Sequence, residues 1–204
     1  MTIPKGKKWL LENAHIGFNN LSSIYNTLSG EYGKPKPVML SELMCYTGIS
    51  GIYFPFTAEA NININVPYPS LPSTITHEMA HQRGYAKEDE ANFIAYLASI
   101  SNPYVEFKYS GTLLALIHSI NALYKEDMES FEKLKSNFSQ GLSRDLDYIN
   151  SFWEKYEGPI EKASTELNNA YLRANNQKDG VKSYGRVVDL LIAFYKTNQE
   201  LINH

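Results

Sequence analysis

Apolar residues near the start of the chain recur at intervals of three or four, which is the period of an amphipathic helix. This spacing predicts a helix over residues 6–29. Two glycines and two prolines in Gly30–Pro37 then break it. The apolar stripe of the predicted helix consists of Leu10, Ala14, Phe18, Leu21, Tyr25 and Leu28.

Three short segments after this break are typical of β-strands. Val38–Leu43 is predicted as a short strand, and Ile52–Thr57 is aromatic and rich in β-forming residues. Ala60–Val66 alternates polar and apolar residues, which is the period of a half-buried strand. Prolines at positions 67, 69 and 72 end this last strand. A small antiparallel sheet is therefore expected before residue 73.

From there onward the apolar spacing is helical. Ser73 or Thr74 is placed to cap a helix that runs through His81, and a second apolar segment follows at Ala91–Ile100. The later helices are predicted at residues 113–120, 131–138, 142–156, 160–174 and 187–202. The expected fold class is therefore α+β and mostly helical.

The composition argues against several functions but does not indicate a particular one. The 204 residues fit one domain, and a net charge of −3 without a basic block gives no electrostatic case for nucleic acid. The single Cys45 excludes an internal disulfide and is expected to be a small buried residue. No apolar run reaches the length of a membrane span, so the chain as given is expected to be soluble.

Residues 77–81 carry the strongest chemical signal in the chain, the pattern H-E-x-x-H. His77 and His81 lie one helical turn apart and only about 40° around the axis, so both imidazoles can reach one metal ion. Glu78 lies on the same side, close enough to reach a metal-bound water. This is the arrangement of zinc metallopeptidases, in which two ligands and a general base share one helix.

A third ligand is expected from the acidic run that follows. Gly84 lies where a helix commonly ends in a left-handed residue, so the chain can reverse and bring a carboxylate back to the metal. Glu88 and Glu90 are both candidates, but they lie about 200° apart on a helix and cannot both face the ion. The alternative is a surface helix with two solvated histidines and an acidic helix start.

The run HEMAHQRGYAKEDEANFIAYLA resembles the Glu-ligand, or gluzincin, branch of the zincin superfamily. The gluzincin pattern selects Glu88 as third ligand and implies that Asn92 hydrogen-bonds a ligand imidazole, although aspartate is usual at that position. Lys87 stands where metzincins have their third histidine, so that branch is not favoured. The resemblance implies a zincin-like fold, Zn²⁺ and peptidase chemistry with Glu78 as general base.

A longer string resembles DUF3810, a family of predicted bacterial membrane-anchored metallopeptidases. It runs from GIYFPFTAEANIN through HEMAHQRG and EDEANFIAYLA to YSG and SYGRVVDLL, and it is close over residues 50–111. The resemblance implies that the parent protein is membrane-anchored, on an unspecified side of the membrane.

The resemblance also requires an oxyanion stabiliser from a distant helix. Tyr184 is preferred, because the matching string includes it and Gly185 permits close backbone approach. The other candidates are Tyr109, His118, Tyr148 and Arg186, of which His118 is interpreted as a packed or surface helix residue.

The strand before the metal helix is expected to form the edge of a cleft, as zincin edge strands do when they pair with extended substrate. Asn61 and Asn63 would then contact substrate from its polar face. A face that only meets water explains these residues equally well.

Together these observations predict one zincin-like domain over residues 1–204. It comprises an N-terminal helix in 1–35, the sheet in 36–72, a metal-binding helix pair in 73–101 and a helical half in 102–204. The expected function is a zinc-dependent peptidase acting on peptide or protein substrates. The alternatives are a zinc-containing binding or sensor module without catalysis, and a zinc amidohydrolase acting on a non-peptide amide.

Overall fold

A computed structural model describes residues 5–174 and 184–202, and the fold in these ranges is mostly helical with one small sheet. The elements in chain order are α1 Lys7–Asn13, α2 His15–Ser22, β1 Lys36–Pro37, α3 Ser41–Cys45, β2 Gly51–Phe54, β3 Glu59–Ile62, α4 Leu71–Gln82, α5 Glu88–Ser101, α6 Val105–Glu126, α7 Met128–Lys135, α8 Gln140–Glu154, α9 Pro159–Ala174 and α10 Tyr184–Ile202. The α+β class predicted from the sequence is confirmed.

The predicted N-terminal helix is present but shorter than expected. Helices α1 and α2 meet at Ala14, whose backbone is still helical, and α2 ends at Ser22. A 3₁₀ turn at Asn26–Leu28 follows where the prediction continued the helix. The predicted apolar stripe is buried at Leu10, Ala14, Phe18, Leu21 and Leu28.

The sheet has three strands in the order β1-β3-β2. Strand β1 is parallel to β3, and β2 is antiparallel to it, so the expected antiparallel sheet is in fact mixed. The predicted strand at Val38–Leu43 is wrong, because strand pairing stops near Pro37 and helix α3 begins at Ser41. Its apolar residues gave a misleading signal: Met39 and Leu43 are exposed rather than in the core.

The polar and apolar alternation of residues 60–66 does not continue as a strand beyond Ile62. Asn63 is fully buried and faces the loop that leads into β2, where its side chain donates to the Ile49 carbonyl at 3.0 Å. The same amide lies 3.3 Å from the sulfur of Cys45, which is itself buried as predicted. This packing explains why Asn63 is buried whereas Asn61 is partly exposed.

Helix α4 forms the centre of the fold, since it contacts β2 and β3 as well as α5 and α6. The helix begins at Leu71 with Pro72 in its first turn, two residues before the predicted cap. Ser73 therefore lies inside the helix, where its backbone N–H donates to the Ser110 hydroxyl of α6 at 2.9 Å. Thr76, one turn further on, shares a 2.9 Å hydrogen bond with Ser99 of α5.

The last helix returns to the core beside α5. Val187 and Leu191 of α10 are buried, and the hydroxyls of Tyr96 and Tyr195 are 2.8 Å apart. The ion pair between Arg186 and Asp89 brings the start of α10 close to the start of α5. None of the helices in the described ranges has the length and apolar character needed to cross a membrane.

Helices α2 and α5 approach so closely that one glycine is required between them. A Cβ atom on Gly17 would lie 2.0 Å from the backbone oxygen of Ala98. We expect Gly17→Ala to lower the free energy of unfolding by about 2–3 kcal/mol, because neither backbone can move aside easily. Urea denaturation measures this change.

Gly141→Ala is the matched control, since Gly141 is also helical and a Cβ there would meet only the Ser139 hydroxyl at 3.9 Å. This variant should change stability by less than about 1 kcal/mol. Equal stability of the two variants would contradict the close approach of α2 and α5.

Candidate metal centre

The two histidines of the H-E-x-x-H pattern face one another on the last turns of α4. The Nε2 atoms of His77 and His81 are 3.1 Å apart, and the two rings meet edge to face. Both side chains are largely buried, with 16% and 12% of their surface exposed. The predicted placement of both imidazoles on one side of one helix is therefore present.

The chain reverses just after these histidines. Gly84 has a φ of +92°, and its N–H donates to the His81 carbonyl at 2.9 Å, which ends the helix as predicted. Arg83 fixes the turn against the N-terminal segment, because its guanidinium stacks between the rings of Phe18 and Tyr32. The turn directs the chain back along α4, and α5 begins four residues later at Glu88.

Glu88 completes a cluster of three groups that could hold a metal ion. Its two carboxylate oxygens lie 3.2 Å from Nε2 of His77 and 3.5 Å from Nε2 of His81. One atom from each of the three residues falls within 4.8 Å of the others. Glu90, the other sequence candidate, instead pairs with Lys87 at 2.7 Å on the surface.

These separations fit a tetrahedral ion. Two atoms that are each about 2.1 Å from zinc at the tetrahedral angle lie about 3.4 Å apart. The hydrogen-bonding state of His81 also fits, because its Nδ1 lies 2.7 Å from the carbonyl oxygen of Tyr85. A carbonyl oxygen only accepts, so Nδ1 carries a proton and Nε2 is the ring atom that faces the candidate metal position.

The Nδ1 atom of His77 lacks the hydrogen bond that Nδ1 of His81 makes. This atom is buried and has no hydrogen-bond partner of normal geometry. Asn92 lies beside this ring, where its side chain favours the protonated imidazole. Asn92 is thus the predicted neighbour of a ligand histidine.

The cluster strongly favours opposite charges on its members. Burial alone would lower the pKa of His77, but the hydrogen bond with Glu88 and the charges of Glu78 and Glu88 raise it to about 8. Burial likewise opposes ionisation of Glu88, yet hydrogen bonds from His77 and His81 hold its pKa far below the usual value. A bound cation would replace the proton that His77 otherwise retains.

Glu78 lies between the histidine pair and strand β2. Its side chain is only 4% exposed, and burial raises its pKa, while His77 and His81 act in the opposite direction. The backbone N–H of Tyr53 also favours the ionised carboxylate. The carboxyl is therefore withdrawn from solvent but remains beside the candidate metal ligands.

Strand β2, and not β3, is the free edge of the sheet on this side. Ser50, one residue before β2, accepts a hydrogen bond from Asn63 at 3.0 Å. Because bonding alternates along an antiparallel pair, the backbone groups of Gly51 and Tyr53 point away from β3. The prediction that the 60–66 strand forms the edge of the cleft is wrong, since β3 is the central strand.

The two asparagines proposed to contact substrate consequently lie away from this edge. Asn61 is on β3, partly exposed, and its amide donates to the Glu59 carbonyl at 3.2 Å. Asn63 is buried against Cys45 and has no access to a substrate. Sequence reasoning placed the edge on the 60–66 segment, whereas the free strand of this hairpin is β2.

The candidates for an oxyanion stabiliser are distributed unevenly around the site. Helix α10 begins at Tyr184, whose side chain lies outside the described residues. Arg186, two residues on, lies 3.7 Å from Asp89, the neighbour of Glu88. The Tyr109 hydroxyl donates a hydrogen bond to the Asp145 carboxylate at 2.5 Å. The last candidate on α8, Tyr148, is 48% exposed.

His118 of α6 is closer to the cluster than its sequence context suggested. It is packed, as interpreted, with 7% of its surface exposed, but burial and the nearby charge of His77 lower its pKa to about 4. In the sequence, the position of His118 seven residues after Gly111 indicated that both lie on one side of α6. Gly111 itself packs against Ser99 of α5.

The metal-free protein should lose about 1 kcal/mol of stability as the pH rises from 6 to 9. His77 causes the loss, and His118, whose pKa is lowered to about 4, offsets part of it between pH 6 and 7. The pKa of His77 is about 8 in the folded protein against 6.5 in a model peptide. Protonated His77 therefore stabilises the fold fully below pH 6.5, and this contribution disappears as the pH passes 8. Glu78, whose pKa is raised, acts in the same direction.

Urea denaturation across this range in a chelating buffer measures the slope. His77→Gln should flatten it, whereas the same change at the exposed His15 should not. A wild-type protein whose stability rises with pH under these conditions would contradict the charge arrangement.

Comparison with known proteins identifies a family but no reaction. No curated protein and no solved structure matches the chain. The family model described as "Protein of unknown function (DUF3810)" matches residues 2–192. This match extends the resemblance carried by residues 50–111 across nearly the full sequence. The chain therefore belongs to the DUF3810 family.

Proposed function

We propose that this domain is a zinc-dependent peptidase in which His77, His81 and Glu88 hold the metal and Glu78 is the general base. The observation that carries the proposal is the convergence of the three ligand side chains across the α4–α5 turn, with separations of 3.1, 3.2 and 3.5 Å, beside the buried carboxyl of Glu78. Two imidazoles and one carboxylate are the ligand set of zinc sites that keep a fourth position open for water or substrate.

The chain supplies the groups that zinc chemistry requires. When bound, zinc lowers the pKa of a coordinated water and polarises the scissile carbonyl. Glu78 takes a proton from the attacking water and passes it to the leaving amine. Its burial supports this role, because a raised carboxyl pKa makes proton transfer at near-neutral pH easier in both directions.

Strand β2 provides a binding surface for an extended peptide. The backbone groups of Gly51 and the carbonyl of Tyr53 face outward at this edge, whereas the Tyr53 N–H is directed to Glu78. A substrate that adds to the sheet here would have its main chain fixed by hydrogen bonds, without regard to sequence. The exposed side chains of Ile52 and Phe54 would then contact apolar substrate residues. This assigns substrate binding to β2 rather than to Asn61 and Asn63.

Oxyanion stabilisation is proposed for Tyr184 at the start of α10. The supporting observation is the contact between Arg186 and Asp89, which brings that end of α10 next to Glu88. His118 is the second candidate, because it lies near His77 from the opposite helix. The membrane anchoring that the family resemblance implies for a parent protein stays a prediction.

Glu78→Gln should abolish hydrolysis while metal binding persists. Glutamine keeps the shape of the side chain but cannot accept the proton, so kcat should fall by about 10²–10⁴-fold. The measurement is turnover of a mixed peptide library by zinc-loaded protein, with bound zinc quantified in the same samples. The exposed Glu132→Gln is the matched control and should retain wild-type turnover.

The outcomes of that experiment separate the proposed functions. Undiminished cleavage by Glu78→Gln would place the base elsewhere. A wild-type protein that binds one zinc per chain but cleaves no peptide would favour the binding or sensor alternative, or a different amide as substrate.

The two neighbouring carboxylates should differ sharply in their effect on metal affinity. Glu88→Ala should weaken zinc binding by tenfold or more, an estimate set against losses of about 10–100-fold for second-shell changes. Glu90→Ala should leave affinity unchanged, because Glu90 bonds only to Lys87 on the surface. Competition titration with a chelating dye measures both, and loss of metal from Glu90→Ala alone would refute the assignment.

A further inference from the structure

Strand β2 carries a glycine at the point where it meets Glu78. A Cβ atom built on Gly51 would lie 2.5 Å from Cγ, 2.6 Å from Oε1 and 2.7 Å from Cδ of Glu78. Side chains do not approach this closely in proteins, so any residue other than glycine would displace the carboxylate or the strand. The carboxylate of Glu78 therefore rests directly on the backbone of the sheet edge.

The backbone conformation gives no reason for glycine at this position. Among the described residues, the glycines with positive φ are Gly30, Gly48 and Gly84, and Gly51 is not one of them. A glycine in a strand is unfavourable by roughly 0.5–1 kcal/mol relative to alanine, and it often marks a site of close approach. Space for Glu78 is therefore the physical reason for Gly51.

The neighbouring contacts show what this space achieves. Tyr53, two residues along the same edge, directs its backbone N–H to the Glu78 carboxylate. On the other side of Glu78 are His77 and His81, whose charges act on the same carboxylate. The Glu78 side chain is thus held between the edge of the sheet and the ligand pair. It fits there because Gly51 has no side chain.

We infer that Gly51 is a positioning residue: the absence of a side chain at this point of β2 holds the Glu78 carboxylate against the sheet edge and beside the metal ligands. This inference rests on the proposed peptidase function for its catalytic meaning. The contact itself does not depend on that function, and the two can be tested separately.

The first test measures the contact by a double-mutant cycle in thermal stability, using metal-free protein. Gly51→Ala should lower the unfolding midpoint by about 3–10 °C, as overpacking in a domain of this size does. In a Glu78→Ala background the same substitution should lower it by less than about 2 °C, because the added methyl group then has room.

If Gly51→Ala alone does not fold, the double variant should fold, and that rescue supports the inference equally. An equal loss in both backgrounds, or failure of both to fold, would overturn it. These outcomes hold whether or not the protein cleaves peptides, so they are independent of the proposed function.

The second test measures catalysis by zinc-loaded protein. Gly51→Ala should lower kcat by about 10- to 100-fold, the effect of misplacing a reacting group by about 1 Å. KM and bound zinc should stay within about twofold of wild type, because the ligands and most of the β2 edge are unchanged. Gly33→Ala is the control, since a Cβ there would meet only Gln82 Nε2 at 3.6 Å.

A rise in KM with unchanged kcat would mean that the added methyl group disturbs substrate binding at the β2 edge and leaves the Glu78 carboxylate in place, which would overturn the inference. A different result is that the double-mutant cycle shows the expected coupling while the wild-type protein cleaves no peptide. That result would support the contact between Gly51 and Glu78 and reject the peptidase function.

Discussion

The reversal of the chain between α4 and α5 is the constraint on which the site depends. Two ligands come from the end of one helix and the third from the start of the next, so their separation is set by the turn at Gly84. Thr76 and Ser99 hold the two helices together by a buried hydrogen bond. Arg83 fixes the turn from outside by stacking on Phe18 and Tyr32. The geometry of the candidate metal centre is therefore built into the core and does not require a flexible loop to close.

Electrostatics explains why such a cluster requires a compensating positive charge. Three carboxylate and imidazole groups lie within a few ångströms in a region largely withdrawn from water, where unpaired charge is costly. Without metal, a proton on His77 compensates the charge of Glu88, and the pKa of His77 rises accordingly. A divalent ion would do the same with two charges and would use both Nε2 lone pairs. One polar atom of the cluster, the buried Nδ1 of His77, has no hydrogen-bond partner.

The sheet contributes to the site through its edge and not through its side-chain pattern. Strand β2 brings the backbone of Gly51 and Tyr53 to Glu78, while the more regularly alternating segment forms the central strand β3. Alternation reports that one face of a strand is buried, and both edge and central strands satisfy that condition. Strand order depends on which segments pair, and here β1 adds in parallel beside β3, which moves β3 away from the edge.

The sequence by itself determined the features that depend on local spacing. These are the helix with His77, Glu78 and His81, the stop at Gly84, the start of α5 at Glu88 and the predominance of helix. Each follows from a helical period or a preferred backbone conformation within a dozen residues. Helical spacing left both Glu88 and Glu90 open, and the resemblance to gluzincins selected Glu88, the residue that faces the histidines. Only the tertiary structure decided that Asn63 is buried, that His118 approaches His77 and that β2 is the edge. Those outcomes depend on which distant segments pack together, and packing between distant segments leaves no periodic trace in a single sequence.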